Sequence, residues 1–457
     1  MHHDGDTIAA ISTPPGEGGI GIVRVSGPAA IVSTRPYFVS ATQRDIASGE
    51  RQVYFGDWMH EGEVVDEVLV HVMRGPHSYT AENVVEINCH GGQGPLNAVL
   101  ASVLEQGVRL AGPGEFTQRA FMNGRIDLVQ AEAVMERIQA ITRAGLKAAS
   151  AAARGQLSKT IHVFREELIL AKAQIEAGVD FPDDDLPELI TPALKKSIQL
   201  VLERMRALYE TAEAGRLYRE GASVVIAGRP NVGKSSLFNA LLRDARAIVT
   251  HHAGTTRDVL EEIIIIEGIP VRLKDVAGIR DTDDEVEKIG VDIARTTVSE
   301  ADVAFWVVDS SDSLHEEDLS VFQHLKETGL PIILVLNKAD LTQQADISSI
   351  HDEVVSVQNV SALNNSGLPE LERALAQVLK KGKDIVSDQG MITRVHQKDS
   401  LRRGIESIVR LQSNYDESPE FMSIDMDDAL FALGEITGET TPDEVLGHIF
   451  NSFCIGK

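Results

Sequence analysis

Apolar positions recur along this chain with two periods, and the dominant period changes in blocks. Over residues 1–118 the apolar runs are short and rich in β-branched residues. They predict strands at 7–11, 20–25, 53–58, 64–73 and 83–89, the third and fourth forming a hairpin around Glu61-Gly62-Glu63. A helical pattern interrupts them at 96–105. Over 119–217 the period becomes helical: Leu128, Ala131, Val134, Met135, Ile138 and Ile141, then Ile161, Phe164, Leu168, Ala171, Ile175 and Val179. The run Asp180 to Pro187 breaks that pattern and reads as a solvated connection. A further helix is predicted from Thr191-Pro192 to about Arg219, stopped by Gly221.

Between 218 and 382, strand-like segments at 223–227, 271–274, 331–336 and 354–360 alternate with helical patterns at 236–242, 296–304 and 370–379. Such alternation predicts a doubly wound sheet. Helical spacing resumes through Leu401, Ile405, Ile408, Val409 and Leu411, then Ala429 to Ile436 and Val445 to Phe450. The chain is therefore expected to be an α/β multidomain protein. An N-terminal α/β domain spans 1–118, a helical domain begins at 119–217, a doubly wound domain is inserted at 218–382, and the helical domain is completed at 383–457.

The inserted block carries the clearest chemistry. Gly228-Arg229-Pro230-Asn231-Val232-Gly233-Lys234-Ser235 lies between a predicted strand and a predicted helix. In that context a G-x-x-x-x-G-K-S segment folds its N–H groups around phosphate, with Lys234 on the outer phosphates and the Ser235 hydroxyl on Mg²⁺. Asp275-Val276-Ala277-Gly278 follows a strand about forty residues later, where Asp275 is expected to hold Mg²⁺ through water and Gly278 to approach the γ-phosphate. In Ala253-Gly254-Thr255-Thr256-Arg257-Asp258 a threonine hydroxyl is expected to complete the Mg²⁺ shell; Ser235 and Thr256 are the predicted magnesium ligands. Asn337-Lys338-Ala339-Asp340 selects guanine, because the Asp340 carboxylate accepts two N–H groups that adenine does not offer. Ser361, Ala362 and Leu363 close the base pocket. The predicted GTP-binding set is Asn231, Val232, Gly233, Lys234, Ser235, Ser236, Thr250, His251, His252, Ala253, Gly254, Thr255, Thr256, Asp275, Val276, Ala277, Gly278, Asn337, Lys338, Asp340, Ser361, Ala362 and Leu363. After Gly278 stands Ile279, which cannot orient a water, so hydrolysis needs another positioner; Glu287 is the candidate, with Lys234, for the catalytic role.

Composition narrows the setting. The 457 residues are 43% hydrophobic and 25% charged, as in globular proteins. The net charge of −26 argues against broad nucleic-acid binding by this chain, though not against a local basic patch or a basic partner. Neither a membrane-spanning run nor a signal segment is visible, and two distant cysteines, Cys89 and Cys454, form no disulfide framework; a reduced, cytoplasmic protein is expected. Arg24 and Glu86 sit inside apolar strands, either facing solvent or lining a pocket for a polar heterocycle.

The chain resembles the MnmE (TrmE) family of bacterial tRNA-modification GTPases over essentially its full length. The carrying residues are Thr13-Pro14-Pro15-Gly16, Gly18-Gly19, Gly21 to Gly27, His90-Gly91-Gly92, Pro113 to Phe121, the phosphate loop, Gly254 to Asp258 and Cys454-Ile455-Gly456-Lys457. The resemblance implies a Ras-like G domain inserted in the helical domain. It also implies a homodimer formed through the N-terminal domain and a 5-formyl- or 5,10-methylene-tetrahydrofolate site at Arg24, Glu86, Arg125 and Lys457. The implied partner is the FAD-dependent subunit MnmG, which supplies most of the tRNA-binding surface. The joint product is an aminomethyl or carboxymethylaminomethyl group at carbon 5 of the tRNA wobble uridine. The family further implies K⁺ bound by Asn231, Thr250, His252 and Thr255, and water orientation by Glu287. Cys454 is expected from its position to be exposed, which makes it a candidate reactive thiol. Departures from the family pattern are His251-His252, Val276 and an arginine for lysine at Arg125. The competing reading is a ribosome-assembly GTPase binding rRNA, a class that carries a basic domain after the G domain; here a helical tail follows.

Overall fold

The computed structural model describes residues 5–48, 52–180, 190–244, 261–275, 301–380, 390–415 and 419–457. These fall into two compact units. The first holds residues up to 135, then 152–199 and 403–457; the second holds 136–151 and 200–402.

In the first unit, strands β1 (Ile8–Ile11), β2 (Gly18–Ser26), β3 (Phe38–Ser40), β4 (Gln52–His60), β5 (Glu63–Met73), β6 (Val84–Gly91) and β7 (Arg109–Leu110) form one sheet. Its order is β3-β4-β5-β6-β2-β1-β7, antiparallel except for β1 with β7. Alternation fixes its two faces. Val23, Val25, Val68, Val70, Val72, Val85 and Ile87 are buried with Leu96, Val99 and Val103 of helix α2 (Gln93–Leu104) and with Ala30 and Ile31 of the short helix α1 (Ala30–Thr34). On the other face the register sets Ala10, Arg24, Glu86 and His71 in one row across four strands. Phe55 and Leu69 pair on that same face and are 48% and 44% exposed.

Helix α3 (Glu115–Met122) follows, then α4 (Leu128–Gln139), α5 (Arg143–Ala153) and α6 (Gln156–Asp180). Leu157, Ile161, Phe164, Leu168, Ala171 and Ile175 make a buried stripe on α6 at the predicted period.

The second unit is built on a six-stranded sheet of order β13-β12-β11-β8-β10-β9. Its strands are β8 (Ala222–Ala227), β9 (Glu261–Ile266), β10 (Ile269–Asp275), β11 (Val303–Asp309), β12 (Ile332–Asn337) and β13 (Ser356–Asn359). All neighbours are parallel except β9 with β10. Both faces are covered, so β11 and β12 are buried at every position. Helix α7 (Pro192–Tyr209) begins in the first unit and ends in the second; around the sheet lie α8 (Ala212–Glu220), α9 (Lys234–Asp244), α10 (Glu316–Glu327) and α11 (Leu368–Leu379). Helices α12 (Val395–Ser413), α13 (Pro419–Thr437) and α14 (Asp443–Asn451) complete the chain. No helix among the described residues is long and apolar enough to cross a membrane.

Two expected elements differ. The helix expected at 296–304 does not reach Ala304: Val303 and Ala304 open β11, an apolar run paired with β8 and β12. The single helix expected from 191 to 219 is two. Thr211 interrupts it, its hydroxyl donating to Leu208 O at 2.6 Å and accepting Ile392 N–H at 3.1 Å.

Candidate functional site

In the second unit β8 has β10 on one side and β11 on the other, so connections leave its carboxyl end in opposite directions, where open parallel sheets bind ligands. The turn 228–233 lies there and runs into α9, whose first residue is Lys234. Its backbone needs glycine at Gly233: φ is +96°, and a Cβ would overlap the Asn337 side-chain amide. Asn231 also adopts positive φ, +64°. Lys234 Nζ donates to the carbonyls of Gly228 and Arg229 at 2.9 and 2.8 Å, which holds its ammonium over the turn.

The 337–340 segment follows β12, two strands away. Asn337 is buried; its amide nitrogen donates to Val232 O at 2.8 Å and its oxygen accepts Ala362 N–H at 3.1 Å. Asn337 thus ties the phosphate turn to the 361–363 turn. Asp340 Oδ1 accepts from Ser361 Oγ at 2.5 Å. Lys338 Nζ pairs with Asp309 Oδ2 at 2.5 Å. Burial raises the Asp309 pKa, but Lys338 and Ser311 outweigh it and hold the carboxyl below the usual range. Sequence reasoning missed Asp309, because it ends a strand that was not among the predicted ones. Thr250 to Thr256, Val276 to Gly278 and Glu287 lie outside the described residues, as does the side chain of Asp275.

The first unit brings a second set together. Arg24 and Glu86, opposite each other in the register, pair at 2.8 Å with side chains 13% and 19% exposed. Arg24 Nη1 also donates to Gly456 O at 3.0 Å, and Ser12 Oγ donates to the same oxygen at 3.1 Å. The tail is held further by Gly114 N–H to Cys454 O, 3.3 Å, and Phe116 N–H to Lys457 O, 3.1 Å. The Tyr79 ring lies 5.3 Å from the Arg24 guanidinium and 4.8 Å from that of Arg125; the Phe116 ring is 5.5 Å from Arg24. Arg125 and Lys457 form no ion pair among the described residues. Burial, then the neighbouring Arg24 charge, push the Lys457 pKa down. Arg24 thus joins Glu86 to two rings, with Arg125 on the Tyr79 ring and Lys457 within electrostatic reach of Arg24 and Glu86, an arrangement suited to a flat, anionic ligand. Tyr79 was missed, since one aromatic in a turn has no periodic signal. Cys454 is exposed, as expected, whereas Cys89 is buried.

A phosphate turn after the central strand of a parallel sheet, tied by Asn337 to a guanine-type segment, defines a P-loop GTPase domain. Two family profiles then match the chain: "GTP-binding protein TrmE N-terminus" over residues 7–125 and "MnmE helical domain" over 128–454. Proteins named tRNA modification GTPase MnmE from Alkaliphilus metalliredigens (strain QYMF) and Geobacter sulfurreducens (strain ATCC 51573 / DSM 12127 / PCA) are each 44% identical to it over 459 residues, covering 99% of this chain and 99% of theirs. The one from Clostridioides difficile (strain 630) is 41% identical with the same coverage. The chain belongs to the MnmE family.

Proposed function

We propose that this protein is a GTP hydrolase of tRNA modification. With the FAD-dependent partner MnmG, it forms the 5-carboxymethylaminomethyl or 5-aminomethyl group on wobble uridine. The observation that carries the GTPase half is the Asn337 tie between the phosphate turn and the guanine segment. Lys234 and the N–H groups of 231–236 hold the phosphates, Ser235 with Thr256 holds Mg²⁺, and Asp340 reads guanine. Asn231 contributes to a K⁺ site with Thr250, His252 and Thr255, and Glu287 orients the attacking water.

The folate half rests on the cluster of Arg24, Arg125 and Lys457 around Glu86 and Tyr79. Its chemistry fits a tetrahydrofolate: Glu86 accepts ring N–H groups, the aromatics stack, and the unpaired cations meet carboxylates. When bound, the folate supplies a one-carbon unit. The chain's residues orient it and hold it beside the tail that carries Cys454. The open sheet face bearing Phe55 and Leu69 supports a homodimer through the N-terminal domain. The domain limits remain 1–118, 119–217, 218–382 and 383–457, in a cytoplasmic protein whose tRNA contacts come largely through the partner.

Wobble-uridine analysis of tRNA from cells lacking the gene tests the whole reading; unmodified wobble uridine is expected, and normal tRNA rejects it. GTPase rates in K⁺ and Na⁺ at equal ionic strength test the cation, with equal rates against it. Glu287→Ala should keep GTP affinity and lose turnover.

A further inference from the structure

We infer that Arg229 is a positioning residue for the nucleotide phosphates, anchored on the buried Asp318. This rests on the reading of residues 228–235 as the phosphate loop. Arg229 Nε donates to Asp318 Oδ2 at 3.0 Å, and Nη2 donates to Asp312 Oδ2 at 3.0 Å. The Asp318 side chain is fully buried in the first turn of α10, and its Oδ2 also accepts His315 N–H at 3.1 Å. His315 Nε2 lies 2.8 Å from Asp312 Oδ2 and steadies the second anchor. At its other end, Arg229 offers the carbonyl that holds Lys234 Nζ. One residue thus joins a buried carboxylate to the cation the phosphates require.

Stability alone does not explain this arrangement. A buried ion pair is often no better than an apolar pair of similar volume. Asp318 Oδ1 has no hydrogen-bond partner among the described residues, so part of its desolvation is unrecovered. What the pair fixes is the loop. On binding, the Lys234 ammonium exchanges loop carbonyls for phosphate oxygens, and the loop N–H groups must stay aimed while it does so. A loop held through Arg229 enters that exchange already ordered. The anchoring segment also reaches the base side, since Asp309, nine residues before Asp318, holds Lys338.

The test is the full-length double variant Arg229→Met/Asp318→Asn, which leaves no buried charge unpaired. Titration calorimetry should show GDP and GTP binding about tenfold weaker, with GMP, which lacks the β-phosphate, changed less than about twofold. In that background Lys234→Ala should cost less GDP affinity than it does alone, because the two act through one contact. GDP binding at the parental level in the double variant overturns the inference. GDP binding untouched by Lys234→Ala alone instead overturns the phosphate-loop reading beneath it. If the double variant does not fold, Arg229→Lys keeps the charge and loses the second anchor. A GDP affinity lowered about threefold with GMP unchanged then supports the brace, and no change overturns it.

Discussion

Replacing Gly456 with alanine should undock the 454–457 tail and remove ligand binding at the cationic site, leaving GTP hydrolysis in the isolated protein unchanged. Gly456 has φ +89°, a region alanine enters at a cost of about 1 kcal/mol. Its added Cβ would overlap Ile11 O and stand 2.9 Å from Ser12 Cα. Both are main-chain atoms of β1 and its following turn, which cannot swing aside as a side chain does. Relief needs the tail to move out by about an ångström, since ordinary carbon contacts are about 3.5–4.0 Å. That shift carries Gly456 O beyond reach of Arg24 Nη1 and Ser12 Oγ, now at 3.0 and 3.1 Å. The losses are a charge-assisted bond of about 1.5–3 kcal/mol and a neutral one of about 1 kcal/mol.

The total is about 3–5 kcal/mol, a shift of two to three orders of magnitude or more in the docking equilibrium. Two assays read it. Limited proteolysis should release the tail faster, and titration with 5-formyl-tetrahydrofolate should show no measurable binding. A Gly456→Ala protein that binds the folate within about twofold of the parent refutes the argument, because such a result would mean that the clash is absorbed without losing the Arg24 contact.

Three further outcomes follow from the same geometry. Burial pushes the Cys89 thiol up to about 11, so iodoacetamide at neutral pH should label the exposed Cys454 and spare Cys89; peptide mass mapping reads the difference, and equal labelling would contradict the burial. Asp340→Asn should weaken GTP by roughly 2–4 kcal/mol and improve xanthosine triphosphate, since the amide now offers a donor where guanine offers one too; competition binding decides it. Burial first and Arg24 second lower the Lys457 pKa, so the folded chain holds fewer protons there than the unfolded one. Packing of Lys457 therefore becomes more favourable as pH rises through that lowered value, while affinity for an anionic folate falls over the same window. Lys457→Arg should move the loss of affinity to higher pH; an unchanged profile would exclude Lys457 as the titrating group.

The nucleotide site was legible because its parts are local. A glycine turn between a strand and a helix, and an acid after a later strand, each announce themselves within a few residues. What spacing did not reveal is that Asn337 turns both polar atoms to main chain, at Val232 and Ala362. Strand β11 was missed because the helical pattern assigned to 296–304 was carried over its first residues, Val303 and Ala304, and with it went Asp309. The second site is of the opposite kind. Arg24 and Glu86 meet through strand register, and Gly456 reaches Arg24 from 432 residues away. No local pattern encodes such a contact, so only the family resemblance drew Lys457 into that set, and Tyr79 stayed outside it.

This contrast decides how the tail can be tested for chemistry. Its docking uses the main-chain oxygens of Cys454, Gly456 and Lys457, while the Cys454 and Ile455 side chains remain exposed. Removing the thiol should therefore leave the tail in place. Cys454→Ala is expected to bind folate as the parent does, in contrast to Gly456→Ala, which keeps the thiol and loses its position. If Cys454→Ala then fails to modify tRNA, the thiol acts in the reaction itself, because neither tail geometry nor ligand affinity has changed. If modification is normal, the tail serves to place Lys457 and the Gly456 carbonyl. Should Cys454→Ala lose folate affinity as fully as Gly456→Ala, docking would have to run through the thiol side chain, and the main-chain account would be wrong.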